Sequence, residues 1–318
     1  MPFKHNAARR HRIPKARYRV RNWPAYEAGL KRRGDLTLWL DENALAGWHA
    51  ERRTTPGGQR HYSDLAISLV LTLRLVFHLA LRQAEGFVVS VLRLLRIALP
   101  VPDHSTLSRR GRKFANHTPS VAAAAGARHL VIDSTGLQVF GYGAWHGEKH
   151  GYSRRSWRKL HLAVDGDTGE IVASTLTSNG GDDAGEVPLL LAQVQGPIAS
   201  VNGAYDHEAV YRAVNARQPR PPPDVVIPPR ASAVASPHDT QRDSHIETIA
   251  RRGRMAWQKA TGYGRRNLVE TAIGRYKALI GPRLRARNWR AQKAETAIAV
   301  GVLNRMIQTA KPESVRIS

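Results

Sequence analysis

The sequence predicts an α/β protein in which a mixed sheet is flanked by helices and preceded by a helical region and a basic N-terminal arm. Three observations carry this. Between residues 35 and 118, apolar side chains recur at helical spacing. Beyond the small-residue stretch PSVAAAAGAR at 119–128 the period shortens, and three strand-like runs are followed by a strand–helix–strand pattern. Two further helical segments close the chain, so helices are available for the faces of the sheet.

Each element has a local reason. Residues 1–34 hold eleven Lys/Arg and one Glu, punctuated by Pro14, Pro24 and Gly34, and are expected to stay disordered until they meet a polyanion. A solubilising tail is the plainer reading. Asp64–Arg82 and Glu85–Ile97 read as helices, and Pro100 and Pro102 end the second. Asp103 or Ser105 then N-caps a short helix whose exposed face would carry Arg109, Arg110, Arg112 and Lys113. That arrangement fits a helix-turn-helix unit with a basic last helix, and equally a plain bundle.

HLVIDSTGLQVF (129–140) reads as strand, turn, strand. Lys159–Val164 and Glu170–Thr177 form a hairpin around Asp165-Gly166-Asp167-Thr168-Gly169. Helices are expected at Asp183–Gln195 and from about Asp206 to Ala216, with short strands at Ile198–Asn202 and Asp224–Ile227. A helix near 244–258, another at Tyr263–Lys277 and a last one near 291–309 complete the pattern. The resulting segments are an arm (1–34), a helical region (35–118), a mixed-sheet domain (125–290) and a C-terminal helix with its tail (291–318).

Composition narrows the function. The chain of 318 residues has 49 Lys+Arg against 25 Asp+Glu, a net charge of +24. Such an excess calls for a polyanionic partner, most simply nucleic acid. A membrane-surface protein would show a matching amphipathic anchor, and none is evident. The apolar run Leu65–Leu81 is interrupted by Arg74 and His78 and reads as a buried helix. There is no cysteine, which rules out disulfides and thiolate metal sites. The first ten residues, MPFKHNAARR, are charged and lead into no apolar run, so the expected location is cytoplasmic.

The most informative stretch is YGRRNLVETAIGRYK at 263–277. On a helix with Tyr263 at 0°, Arg266, Glu270 and Lys277 fall at roughly 300°, 340° and 320°. The four share one stripe, and Leu268, Val269, Ala272, Ile273 and Tyr276 occupy the opposite side. A carboxylate among cations on one face suits phosphate chemistry, and a solvated face of charge pairs would look the same. Asp133 ends the apolar run His129–Ile132, which puts a carboxylate at the rim of a sheet, although Asp is also an ordinary turn former. Carboxylates brought together from separate elements can hold two Mg²⁺ ions about 3.5–4 Å apart for phosphodiester chemistry. The segment Lys149–Lys159 holds five Lys/Arg, including Arg154, Arg155, Arg158 and Lys159, interleaved with Tyr152 and Trp157. It is a DNA-contact candidate or an exposed hairpin loop. His146, His150 and His161 lack metal-ligand spacing, and Asp165, Asp167, Asp182 and Asp183 read as turn residues.

VIDSTGL (131–137), WRKLHLAVD (157–165), NGAYD (202–206), VIPPR (226–230) and the Y-x2-R-x3-E-x6-K box together resemble bacterial insertion-sequence transposases of the DDE class, in the group named after insertion sequence five. The resemblance runs from about residue 15 to the C-terminal PESVRIS. It implies a ribonuclease-H-like catalytic domain that cuts and joins DNA at terminal inverted repeats with a divalent metal, Mg²⁺ or alternatively Mn²⁺. It also implies a homodimer on paired ends, with double-stranded repeat and target DNA as partners and no membrane. Carried over by position, Asp133 is the first catalytic and metal-binding carboxylate and Glu270 the last. Tyr263, Arg266 and Lys277 contact DNA near the cleaved ends. The family pattern Asp-Gly-Ala-Tyr-Asp stands here as Asn202-Gly203-Ala204-Tyr205-Asp206, so an amide holds the place of the second catalytic Asp. The resemblance therefore implies strand cleavage and transfer that this chain performs poorly. A non-catalytic DNA-binding derivative and a ribonuclease-H-like nuclease are the alternatives. Asn202-Gly203 also reads as a simple turn pair.

Overall fold

A computed structural model describes residues 17–317 except 41, 55, 120, 122–125, 140–156, 218–221 and 239. The chain divides into two compact units, Met1–Leu38 with Met306–Ser318, and Trp39–Arg305.

In the first unit, strand β1 (Arg17–Val20) pairs antiparallel with the C-terminal strand β8 (Ser314–Ile317). Helix α1 (Trp23–Arg32) follows, with Pro24 in its first turn, where a missing N–H costs no helical bond. Asn22 ties the ends together, donating to Lys311 O at 2.9 Å and accepting from Glu313 N at 2.8 Å. The expectation of an unstructured arm is therefore corrected for residues 17–32. Their partner lies almost a full chain length away, and no local pattern announces such a pairing.

The second unit begins with short helices α2 (Leu36–Trp39, its last residue) and α3 (Glu42–Ala46), then α4 (Asp64–Val76), α5 (Leu81–Leu94) and α6 (His104–Gly111). The expected helix Asp64–Arg82 stops at Val76, because His78 adopts a left-handed backbone (φ 54°) and Ala80 N turns to the Gln83 side chain. Helices α4 and α5 meet at 107° and pack with α6 around Ile67, Leu73, Val88 and Leu107. Among the described residues no single helix is long and apolar enough to cross a membrane. Asp103 caps α6 as its sequence suggests, accepting from Ser105 N at 2.8 Å and Thr106 N at 2.9 Å.

The sheet comprises β2 (Arg128–Val139), β3 (Trp157–Asp165), β4 (Ile171–Ser178), β5 (Ile198–Asn202), β6 (Asp224–Val226) and the short β7 (Arg283–Leu284). Its order is β4-β3-β2-β5-β6, antiparallel through the first three strands and parallel from β2 to β6, with β7 also parallel to β2. The strand–turn–strand expected at 129–140 is one continuous strand. Nine residue pairs with β3 override the turn preference of Ser134-Thr135-Gly136. Gly136 lies close against Trp157 there, since a Cβ would lie 3.2 Å from its ring and press the ring aside.

One face of the sheet packs Leu130, Ile132, Val201 and Val225 against α7 (Val187–Gln193) and α8 (Glu208–Asn215). Later helices are α9 (Gln241–Thr261), α10 (Asn267–Leu279) and α11 (Trp289–Thr309), and α10 packs on β2 and β3. Asn304 of α11, 2% exposed, joins the sheet through both its amide groups, accepting from Ile171 N and donating to Ile171 O at 2.8 Å each. Asn304→Ala leaves two buried backbone groups unpaired, at about 1–3 kcal/mol each. A clear drop in the urea midpoint is expected, and an unchanged midpoint would show that this link holds nothing.

Candidate functional site

Asp133 sits within β2, not at its end as expected, and its position at a rim comes from the neighbouring strands. On one edge of β2, β5 pairs only as far as Val131 opposite Asn202, and β7 takes over only at Gln138. Residues 132–137 thus have an edge without a strand partner, just beyond the carboxyl end of β5. Crevices at such ends are where α/β sheets gather polar chemistry. Alternation places Asp133 on the same face as Val131, and parallel pairing places Asn202 there too.

Three donors reach the Asp133 carboxylate. Ser134 N donates to Oδ1 at 2.9 Å, the Tyr205 hydroxyl to Oδ1 at 3.4 Å and Arg266 Nη2 to Oδ2 at 2.8 Å. Burial, followed by the charges of Asp133 and Asp183, pushes the Tyr205 phenol up, so it stays a donor at neutral pH. Asp183 lies alongside, with Ser134 Oγ at 3.4 Å and Lys159 Nζ at 3.2 Å. His161 is 3.6 Å from Asp183, but burial holds the imidazole below its ordinary pKa, so this contact is no ion pair at neutral pH.

Arg266 is delivered by a series of contacts that starts at the sheet edge. His245 Nε2 donates to Val225 O at 2.7 Å, which leaves Nδ1 to accept from Trp257 Nε1 at 3.1 Å. The Trp257 ring packs on Tyr263, with centroids 5.4 Å apart. Gly262 ends α9 in the left-handed region (φ 66°), which reverses the chain into a 3-10 turn at Tyr263–Arg266. Residues three apart eclipse in such a turn, and Arg266 Nη1 lies 3.4 Å from the Tyr263 hydroxyl. The expected single helix at 263–277 is thus a 3-10 turn followed by α10. Glu270, one turn beyond Arg266, is exposed, and Lys277 is exposed further along.

Asn202 is 5% exposed at the end of β5, and its Oδ1 is buried with no hydrogen-bond partner. An orphaned acceptor of this kind costs about 1–3 kcal/mol, which makes it unusual as a mere turn residue. Asp206, the other acid of its block, is already engaged. Its side chain is 2% exposed and accepts from Arg242 Nε at 2.7 Å, Arg242 Nη2 at 3.0 Å and Arg230 N at 3.0 Å. Burial works to raise its pKa, but the Arg242 and Arg230 bonds outweigh it and hold the carboxyl below its ordinary value.

Other expected contacts divide. Arg109 is exposed on α6. Arg110 pairs with Asp64 at 2.8 Å and bonds Tyr62 O, the acidic start of α4 lying beneath α6. Lys113 also pairs with Asp64. The Lys159 ammonium bonds Gly181 O at 3.0 Å and Asp183 at 3.2 Å. Arg158 bonds Gln292 at 3.1 Å and lies 5.1 Å over the Trp289 ring. Arg154, Arg155, His146 and His150 lie outside the described residues. Sequence reasoning missed Tyr205 and Asp183 as neighbours of Asp133. The NGAYD block was a signal for the first, and nothing local marks the second.

Among the described residues, no three His, Asp or Glu side chains are gathered to hold a metal. The Asp133 carboxylate and the Asn202 amide lie on one face of neighbouring strands, and Glu270 is exposed one turn beyond Arg266. Hard divalent cations take such oxygen donors. Oxygen donors of this type suit Mg²⁺ by chemistry.

The chain matches two families, each described as a transposase DDE domain, over residues 31–142 and 124–305. A piggyBac transposase, seen by cryo-EM in a synaptic complex with hairpin DNA, aligns over 88% of this chain and 74% of that one. The identity is 11% and the TM-score 0.35, a likeness too loose to carry weight for fold or function.

Asp206 supplies a test of the scaffold. A carboxyl held below its ordinary pKa contributes stability that is complete above about pH 5 and fades as pH falls through the folded value. Asp206→Asn should therefore cost most near neutral pH and progressively less below about pH 4, read as the gap between urea midpoints. A gap that does not change with pH would contradict the Arg242 pairing.

Proposed function

The chain belongs to the transposase DDE domain family, which matches it over residues 124–305, and from that membership we propose an insertion-sequence transposase that grips DNA ends but cuts them poorly. The observation that carries this is the pairing of Asp133 with an amide at the second acidic position. Asn202 ends β5 on the same face as Asp133, and its buried oxygen lacks a partner. The reading places the chain in the insertion-sequence-five group, with a ribonuclease-H-like catalytic domain at 125–290 behind a helical DNA-binding region. Support for the domain comes from an antiparallel trio of strands continued by two parallel ones, with the carboxylate on the middle strand.

In this reading Asp133, Asn202 and Glu270 hold the divalent metal. Such a metal would supply activation of an attacking oxygen and stabilisation of the leaving one in phosphodiester cleavage. The chain's own residues do the rest. Arg266 is positioned by Tyr263 to exchange Asp133 for a DNA phosphate, a role that suits a planar guanidinium. Lys277 adds a second phosphate contact further along α10, and Arg109 and Arg158 extend the basic surface. The protein would act in the bacterial cytoplasm at the nucleoid, as a homodimer on paired terminal inverted repeats, and transfer strands to target DNA through a 3′-hydroxyl.

An amide contributes an oxygen without charge. Loss of groups that merely orient a metal ligand already costs about 10–100-fold. Loss of a ligand's charge should cost at least as much. The Arg266–Asp133 bond of 2.8 Å favours a second reading, a non-catalytic derivative that binds repeats and occludes them, because the remaining central carboxylate is neutralised by protein.

Asn202→Asp separates the two. With Mg²⁺ or Mn²⁺ and a duplex carrying the element's terminal repeat, the variant should cleave at least about tenfold faster than the parent chain. Binding of the repeat without any cleavage by the variant would favour the occluding derivative. Cleavage without joining of a pre-cut 3′-end would indicate a nuclease.

A further inference from the structure

Residues 283–293 read RLRARNWRAQK, with four Arg, one Lys and no acid. The segment runs from β7, which extends the edge of β2 beyond the Asp133 opening, through a short loop into the first turn of α11. Its backbone is held from inside by two buried side chains of α11. Glu295, 5% exposed, accepts from Arg285 N at 2.9 Å and Ala286 N at 2.8 Å. Gln292, 1% exposed, donates to Ala286 O at 3.0 Å and Arg287 O at 3.4 Å. The Glu295 carboxylate is thus spent on the segment's backbone, while Arg283, Arg287 and Arg290 are exposed.

Arg283, Arg287 and Arg290 are exposed and have no acidic partner among the described residues. Arg285 braces the loop against the end of α4 through His78 O at 2.7 Å. Arg112 of the turn after α6, with Arg285, Arg287 and Ser108, lines a cavity of about 320 Å³. Arg74 lines it too, with a buried Nε that has no partner. On the other side of the loop, Trp289 stacks beneath Arg158 at 5.1 Å and Lys293 at 5.2 Å. A flexible solubilising loop would not need two buried polar side chains to fix its backbone. Fixing it while crowding like charges on its outer side is unfavourable unless an anion arrives, and rows of anions at fixed spacing are what a duplex presents.

We propose that the 283–293 segment, β7 with its connection and the first turn of α11, is a preorganised phosphate-gripping surface for the DNA backbone, read without regard to base sequence. The proposal rests on the reading of the chain as a DNA-end-binding transposase. It adds a contact surface separate from the Tyr263–Lys277 box and ordered by Glu295 and Gln292. Arg283, Arg287 and Arg290 each neutralise a phosphate, and each such contact adds about 0.9 to the slope of log affinity against log salt.

The experiment measures binding of the full chain to a duplex of arbitrary sequence across a salt series, for three proteins. These are the parent, the triple variant Arg283→Ser, Arg287→Ser, Arg290→Ser, and the corresponding triple Arg→Lys variant. The serine variant should lose about 2.7 from the slope and about two orders of magnitude in affinity at 0.1 M salt. The lysine variant should keep most of the slope, since it keeps the charge, and both should melt at the parent's temperature. A serine variant with the parent's slope overturns this surface and leaves the transposase reading standing. Failure of the parent itself to bind duplex DNA overturns both.

Discussion

The register between β2 and β5 governs the candidate site. Parallel pairing ends with Val131 opposite Asn202, and the next partner on that edge begins only at Gln138. The gap opens the backbone edge beside Asp133 and sets Asn202 on the same face. A slip of one residue would turn the two side chains to opposite faces. Such a slip is opposed from within the sheet, because it would also turn Val201 away from the core face that Leu130 and Ile132 share. The hydrophobic pattern that folds the sheet thereby also aims the polar side chains.

What enters the gap is set by a second constraint. Tyr263 and Arg266 arrive on a 3-10 turn whose start is fixed by the Trp257–His245–Val225 contacts and by the left-handed Gly262. Arg266 therefore reaches Asp133 from a structured element, even though its neighbour Glu270 is exposed. The local charge sums to near zero: one carboxylate, one guanidinium and one neutral amide. In the proposed transposase reading a centre for divalent cations carries an excess of negative charge, which the Asn202 amide does not supply. Asp206 cannot make up the loss, because Arg242 and Arg230 already hold its carboxylate in the fold.

Much of the sheet domain was legible in the sequence, for physical reasons that differ by element. The β3–β4 hairpin and β5 carry strand periodicity and an Asp-Gly turn, which are local signals. β2 was misread because Ser134-Thr135-Gly136 looks like a turn until β3 and the Trp157 ring are laid across it. The arm was misread because charge suggests disorder, whereas its strand is made by a partner nearly 300 residues away. Cations posed the same difficulty. Arg109 and Arg110 are equivalent in sequence, yet only tertiary packing shows that Arg110 is already committed to Asp64. Asp133 and Asn202 were legible as positions through the family resemblance. Their shared face and the unpartnered amide oxygen became visible only with the strand register.

The central claim is that Asn202 leaves the Asp133 site one charge short. Direct titration of Mn²⁺ into the DNA-free protein, followed by the loss of the free-ion electron paramagnetic resonance signal, tests it most closely. Weak binding by the parent, at least about tenfold tighter binding by Asn202→Asp, and loss of that gain when Asp133→Asn is added are the predicted results. Equal affinity in the parent and Asn202→Asp, or a gain that survives Asp133→Asn, would contradict the account.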